Sequence, residues 1–162
     1  MLVQEMAPTD SLNRLATMHL GRLGCVKGSQ PYVVPFYFAY EANYLYGFSV
    51  VGQKIDWMRA NPLVCVEMDD LKSADEWVSI VILGQYEELP DTPEFRTQRE
   101  MAYAFLQQRP DWWEPGYAKT IVNGTERQGT PVYFRIQIVQ ITGRRGFAES
   151  PSGVEEQHQT VS

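Results

Sequence analysis

The chain has 162 residues, the length of one ordinary domain, and its 44% hydrophobic and 21% charged residues suit a single core that needs no staple. A net charge of −6 disfavours a nucleic-acid backbone or an anionic membrane surface as partner, since both require clustered Lys and Arg, and Arg144-Arg145 is the only basic run. No stretch approaches the ~20 apolar residues of a membrane span. Nine Tyr, seven Phe and four Trp favour strands first and a pocket for a planar ligand second.

The N-terminus, Met1-Leu2-Val3-Gln4-Glu5, lacks the basic n-region of a signal peptide, so a cytoplasmic chain is expected. Residues 9–20 read as an amphipathic helix capped by Asp10 or Ser11, with Leu12, Leu15, Ala16 and Leu20 at helical spacing. Arg22 to Lys27 is a short strand closed by Gly28-Ser29. Gln30 to Tyr40 is the longest strand candidate. Val34, Phe36, Phe38 and Tyr40 point one way and Val33, Pro35, Tyr37 and Ala39 the other, so both faces should be covered. Pro35 cannot donate to a ladder, which predicts a free edge, a bulge or an irregular partner there.

Glu41-Ala42-Asn43 turns the chain into a strand from Tyr44 to Ser49. A helix follows Gly52, with Ile55, Met58 and Trp57 inward and Pro62 ending it. Leu63 to Met68 and Trp77 to Tyr86 are further strands, the latter with Trp77, Ser79, Val81 and Leu83 on one face. Thr92-Pro93-Glu94 opens a helix whose stripe is Phe95, Ala102, Phe105 and Leu106. Residues 108–130, including Trp112-Trp113, read as an irregular loop, and Val132 to Thr142 as a final alternating strand. From Ala148 the composition predicts a disordered tail, leaving one domain over 1–147. Six strands joined largely by hairpins, with three peripheral helices, predict a mainly β fold built as a small antiparallel barrel.

Cys25 and Cys65 each sit in an apolar stretch and read as buried thiols. The two histidines, His19 and His158, make no metal-ligand spacing with them, so no metal site is expected. The chemistry concentrates between residues 44 and 60. A strand ends at Ser49, Gly52 lets backbone approach closely, and a helix starts near Gln53 with Lys54 in its first turn. Helix N-termini expose unpaired N–H groups and attract phosphate. Lys54 opposes the helix dipole there, as either a phosphate ligand or a solvated surface lysine.

Five segments carry a resemblance: Leu20-Gly21-Arg22-Leu23-Gly24; Pro31-Tyr32-Val33-Val34-Pro35; Gly52-Gln53-Lys54 with Asn61-Pro62; Trp77-Val78-Ser79-Ile80-Val81 with Gly84; and Ile141-Thr142-Gly143-Arg144-Arg145. In that order and spacing, over residues 12–147, the chain resembles the pyridoxamine 5′-phosphate oxidase-like FMN-binding split-barrel family, nearest the branch of nitroimidazole-resistance reductases. The resemblance implies a six-stranded antiparallel split β-barrel and a homodimer with FMN in a groove between subunits. It implies that Val33, Val34, Pro35, Phe36 and Tyr37 lie along the flavin ring, that Ser49, Gln53 and Lys54 hold the phosphate beside Gly52, and that Ser79 sits near the cofactor. Two departures narrow the expectation. The His that such reductases often place just before the strand's serine is replaced by Gly47-Phe48. The basic C-terminal residues that grip substrate in true pyridoxamine phosphate oxidases are missing unless Arg144 or Arg145 serves, so vitamin B6 synthesis is not expected.

No acid–base or nucleophile constellation stands out, which suits a cofactor that carries the electrons itself. The leading expectation is an FMN-dependent oxidoreductase acting on an unidentified small molecule. The alternatives are a flavin carrier without turnover, or a split barrel for another planar ligand such as haem or a deazaflavin. Trp112-Trp113 either caps the flavin or anchors the loop.

Overall fold

A computed structural model describes residues 1–109 and 119–149. Trp112, Trp113 and the tail beyond Glu149 lie outside the described residues. In chain order the elements are β1 (Leu2–Met6), α1 (Pro8–Leu15), β2 (Leu20–Lys27), β3 (Gln30–Tyr37), β4 (Ala39–Glu41), β5 (Tyr44–Val50), α2 (Gln53–Ala60), β6 (Leu63–Ser73) and β7 (Glu76–Glu88). A 3₁₀ turn (Pro93–Phe95), α3 (Arg96–Gln107), β8 (Thr120–Val122), β9 (Thr125–Arg127) and β10 (Pro131–Phe147) follow.

One antiparallel sheet runs β3-β2-β6-β7-β10-β5-β4, with β1 added alongside β10. Its two ends, β3 and the β4–β5 pair, are not hydrogen-bonded to each other, so the barrel is split. They meet through side chains instead. A Cβ at Gly47 of β5 would fall 2.5 Å from the Phe36 ring of β3 and 2.6 Å from that of Phe134, so only glycine allows the contact. The Phe36 and Phe134 rings stack at 5.5 Å. With Phe38, Leu45, Ile82 and Ile136 they fill the interior, each fully buried side chain contributing roughly 1.5–3 kcal/mol. A second cluster lies behind β5 and β10, where α3 sets Ala102 and Leu106 against Tyr46, Phe48 and Tyr133.

Five of the six expected strands are present as such. The expected strand from Gln30 to Tyr40 instead breaks at Phe38 into β3 and β4, which lie at opposite ends of the sheet, and the sheet is larger than expected. β1 was not anticipated: its burial is nearly uniform exposure, so no alternation marks it. β10 reaches 17 residues and passes a bulge between Ile138 and Gln140. The 108–130 stretch is not wholly irregular, since Asn123 and Gly124, with φ of 51° and 77°, turn β8 into β9. The first helix stops at Leu15 rather than Leu20. Its cap is Ala7 with Pro8 at the first position, and Ser11 is buried, its hydroxyl donating to the Ala7 carbonyl at 3.1 Å.

Two burial expectations also change. Cys25 is buried but Cys65 is exposed, because β6 alternates and Val64 and Val66 take the interior side. The Val33, Pro35 and Tyr37 face of β3 is open within one chain, with Val33 61% exposed. Pro35 meets the expectation of a free edge. β3 ends the sheet and pairs in regular register with β2 alone.

Candidate functional site

The turn between β5 and α2 is an uncapped helix start. Gly52 is the N-cap in extended conformation and supplies no side-chain bond, and the first intrahelical bond runs from the Asp56 N–H to the Gly52 carbonyl at 3.0 Å. The N–H groups of Gln53, Lys54 and Ile55 therefore have no intrahelical partner. The Val51 N–H is already engaged by the Thr130 carbonyl at 2.9 Å, which fixes the turn against the start of β10. A Cβ at Gly52 would meet nothing nearer than the Val50 carbonyl oxygen at 4.0 Å, so the turn is open on that side.

Lys54 is half-buried, and burial lowers its pKa; the nearby Cys25 thiol opposes that shift. The thiol is itself pushed up by burial and by Cys65, and pulled down by Lys54. Among the described residues no carboxylate pairs with Lys54. One turn later Trp57 packs on Tyr32 with ring centroids 5.4 Å apart. Cys25 and Tyr32 are direct partners across β2 and β3. Lys54 and Trp57 thus straddle one cross-strand pair, which sets α2 on the interior side of β2. The far end of α2 is pinned by Arg59, whose guanidinium donates twice to the Glu88 carboxylate at 2.7 Å.

The other expected residues divide. On β3, Val34 and Phe36 face the interior, while Val33, Pro35 and Tyr37 face outward. Ser49 is 3% exposed and pairs with Val132, which places it on the interior side; its hydroxyl donates to the Val50 carbonyl at 3.3 Å. Gln53 is exposed at the helix start. Ser79 does not join them within one chain. It lies on β7, separated from β3 by β6 and β2, about 14 Å at ordinary strand spacing. Its hydroxyl donates to Glu67 at 3.3 Å. Phe48, in the Gly47-Phe48 pair that departs from the resemblance, is buried against Tyr133 on the opposite side of β5 from Ser49. Arg144 and Arg145 sit at the other end of β10 from the turn, held by Glu5 and Gln4 of β1. Among the described residues no group of three His, Cys, Asp or Glu gathers as a metal site, and no helix is long and apolar enough to cross a membrane.

Ser79 shares its face of the sheet with an apolar strip. Register places Val33, Gly24, Cys65 and Leu83 side by side across β3, β2, β6 and β7, with Val139 beyond at the β10 bulge. They line a hollow of about 490 Å³. Leu83 is 48% and Val139 68% exposed. Sequence reasoning missed the positioning groups: Cys25, Tyr32 and the Thr130 carbonyl that holds the turn. The Asn123-Gly124 hairpin signature was the one local signal of the last.

Uncapped N–H groups, an unpaired partly desolvated ammonium and open space at Gly52 form a donor set of the chemistry a phosphate monoester takes.

The chain is similar over most of its length to several known proteins. It is 37% identical over 148 residues, 91% of this chain and 98% of the relative, to an uncharacterised protein of Rhizobium meliloti (strain 1021). It is 40% identical to a FAD-binding protein from Mesorhizobium loti, covering 91% and 99% of the two chains with a TM-score of 0.73. A NimC/NimA family protein from Clostridium acetobutylicum shares the fold at 19% identity, with 88% and 86% covered and a TM-score of 0.54. Residues 8–145 match the family described as pyridoxamine 5′-phosphate oxidase. The chain belongs to the pyridoxamine 5′-phosphate oxidase family, in its split-barrel form.

Proposed function

We propose that this chain is a cytoplasmic, homodimeric flavoprotein that holds the FMN portion of a flavin nucleotide and works as an oxidoreductase on a small molecule. The observation that carries it is the α2 start, where Lys54 has no carboxylate partner beside three N–H groups without intrahelical partners. Gln53 and Lys54 would bind the phosphate, Ser49 would support the turn from below, and the β3 segment Val33–Tyr37 would line the ring. A bound flavin supplies reversible electron transfer, which the protein directs by position. The free thiols Cys25 and Cys65 accord with a reducing compartment.

The apolar strip supports the dimer. A row of Val33, Leu83 and Val139 left in water is a surface that a second copy would cover, bringing its own Ser79 and Glu67 toward the first copy's β3. FAD is the second reading for the cofactor, because it contains the same FMN portion and the 40% identical relative is described as FAD-binding.

The purified protein's visible spectrum tests the reading. Oxidised-flavin bands, released on denaturation, are expected, with the extract identified by mass. Lys54→Ala should weaken FMN at least tenfold and riboflavin little, since riboflavin lacks the phosphate. A protein that stays colourless and binds no added flavin sinks the proposal.

A further inference from the structure

The β8–β9 hairpin has no evident reason to exist as part of the barrel. It has three residues on each side, pairs with no strand of the main sheet, and leaves Ile121 71% exposed. Such a ribbon is marginal in water unless something docks on it. Its exit is nevertheless fixed firmly, and at one place. The Thr130 carbonyl takes the Val51 N–H, Pro131 pairs with Val50, and Gly129 presses on Val50 so closely that a Cβ there would fall 2.6 Å from that of Val50. The hairpin is therefore rooted on the same turn that forms the phosphate site.

Its charges are unequal. Lys119 is tied to Glu126 at 2.9 Å, whereas Arg127 is exposed and has no hydrogen bond or ion pair among the described residues. Two residues, Gln128 and Gly129, separate Arg127 from Thr130, so the span is at most about 11 Å of chain. Register puts Arg127, Thr125 and Val122 on one face of the ribbon, a guanidinium beside a hydroxyl and an apolar surface. FMN ends at the phosphate held by α2. FAD continues past it with a second phosphate, a ribose and an adenine.

We propose that the β8–β9 hairpin is the binding arm for the adenosine diphosphate half of FAD, with Arg127 on the second phosphate and Val122 against the base. The inference rests on the flavin reading above and deepens it: the α2 turn grips what FMN and FAD share, and the hairpin distinguishes them. Guanidinium suits the role, since its fork matches phosphate oxygens in two parallel hydrogen bonds.

Titration of apoprotein with FMN and with FAD, followed by flavin fluorescence, tests it. Wild type should bind FAD more tightly than FMN. Arg127→Ala should weaken FAD about tenfold and leave FMN within twofold, and Arg127→Glu should weaken FAD further. The unchanged FMN affinity serves as the internal control that the variants are folded. Equal affinity of wild type for the two flavins, or an Arg127→Ala effect that is absent or the same on both, overturns the arm and leaves the flavin site standing. Binding of neither flavin by wild type overturns the flavin reading itself.

Discussion

Lys54 on α2 and Cys25 on β2 lie within electrostatic reach of one another, and the ring of Trp57, one helical turn on, packs at a tilt against Tyr32, the cross-strand partner of that same cysteine. The helix is thereby registered on the sheet, against β2, by two side chains three residues apart. A lysine so placed is costly to the fold, because burial disfavours its charge.

That cost gives a pH signature. Burial depresses the Lys54 pKa below its ordinary 10.5, so the folded chain gives up this proton more readily than the unfolded chain does. The corresponding stability is fully present above 10.5 and is lost as pH falls through the depressed value. A bound phosphate opposes that shift by stabilising the ammonium. FMN affinity should therefore decline on the alkaline side at a lower pH than an ordinary lysine would give, with proton uptake on binding. Isothermal titration in buffers of different ionisation enthalpy measures this. Riboflavin should show no such decline, and a decline shared by Lys54→Ala would remove Lys54 from the explanation.

The apolar strip should be a subunit contact. Leu83→Asp, in the row Val33, Gly24, Cys65, Leu83, is expected to shift the protein from dimer to monomer in sedimentation. Cys65 should then become reactive toward a maleimide while Cys25 stays protected in both forms. A monomeric wild type with a freely reactive Cys65 would refute the assignment.

Gly47→Ala should be among the most damaging single methyl additions. The new Cβ would press on both Phe36 and Phe134, and overpacking of this kind costs about 1–3 kcal/mol. For a chain of this size that is a fall in Tm of roughly 2–4 °C per kcal/mol, read by thermal denaturation. An unchanged Tm would mean that the two ends of the sheet approach less closely than described.

Glu88 links α2 to β7 and titrates. Its hydrogen bonds from Arg59 hold the carboxyl below its ordinary 4.5, so the contact is at full strength above that value and is lost as pH falls through the depressed one. Because Arg59 is 42% exposed, solvent screening limits the contact to about 0.2–1 kcal/mol. Glu88→Gln should lower stability by that amount at neutral pH and flatten the acid limb of urea-denaturation midpoints. A steeper acid limb in the variant would contradict the pairing.

Much of this was legible in the residues, and the failures have physical causes. Alternation exposed the six main strands because each has one side against the core, as Val132, Phe134 and Ile136 show. β1 escaped because both of its sides are wet. The α2 turn was legible as glycine followed by a misplaced lysine, yet nothing local could reveal that Cys25 and Tyr32 would support it, since that is a fact of pairing between distant strands. Cys65 looked like Cys25 by composition, and only the side of the strand separates them. Ser79 was legible as a strand residue, but its distance from the turn depends on the order of strands in the sheet.

Pro35 has a consequence for what the open edge of β3 can accept. A β-sheet that ends in an open edge beside an apolar face invites any other strand to add to it, and aggregation follows the same hydrogen bonds as folding. A proline in the middle of β3 leaves a gap in the row of donors that such a strand would need. The edge is thus a poor template for indiscriminate extension, and remains free for a partner that recognises it by side chains.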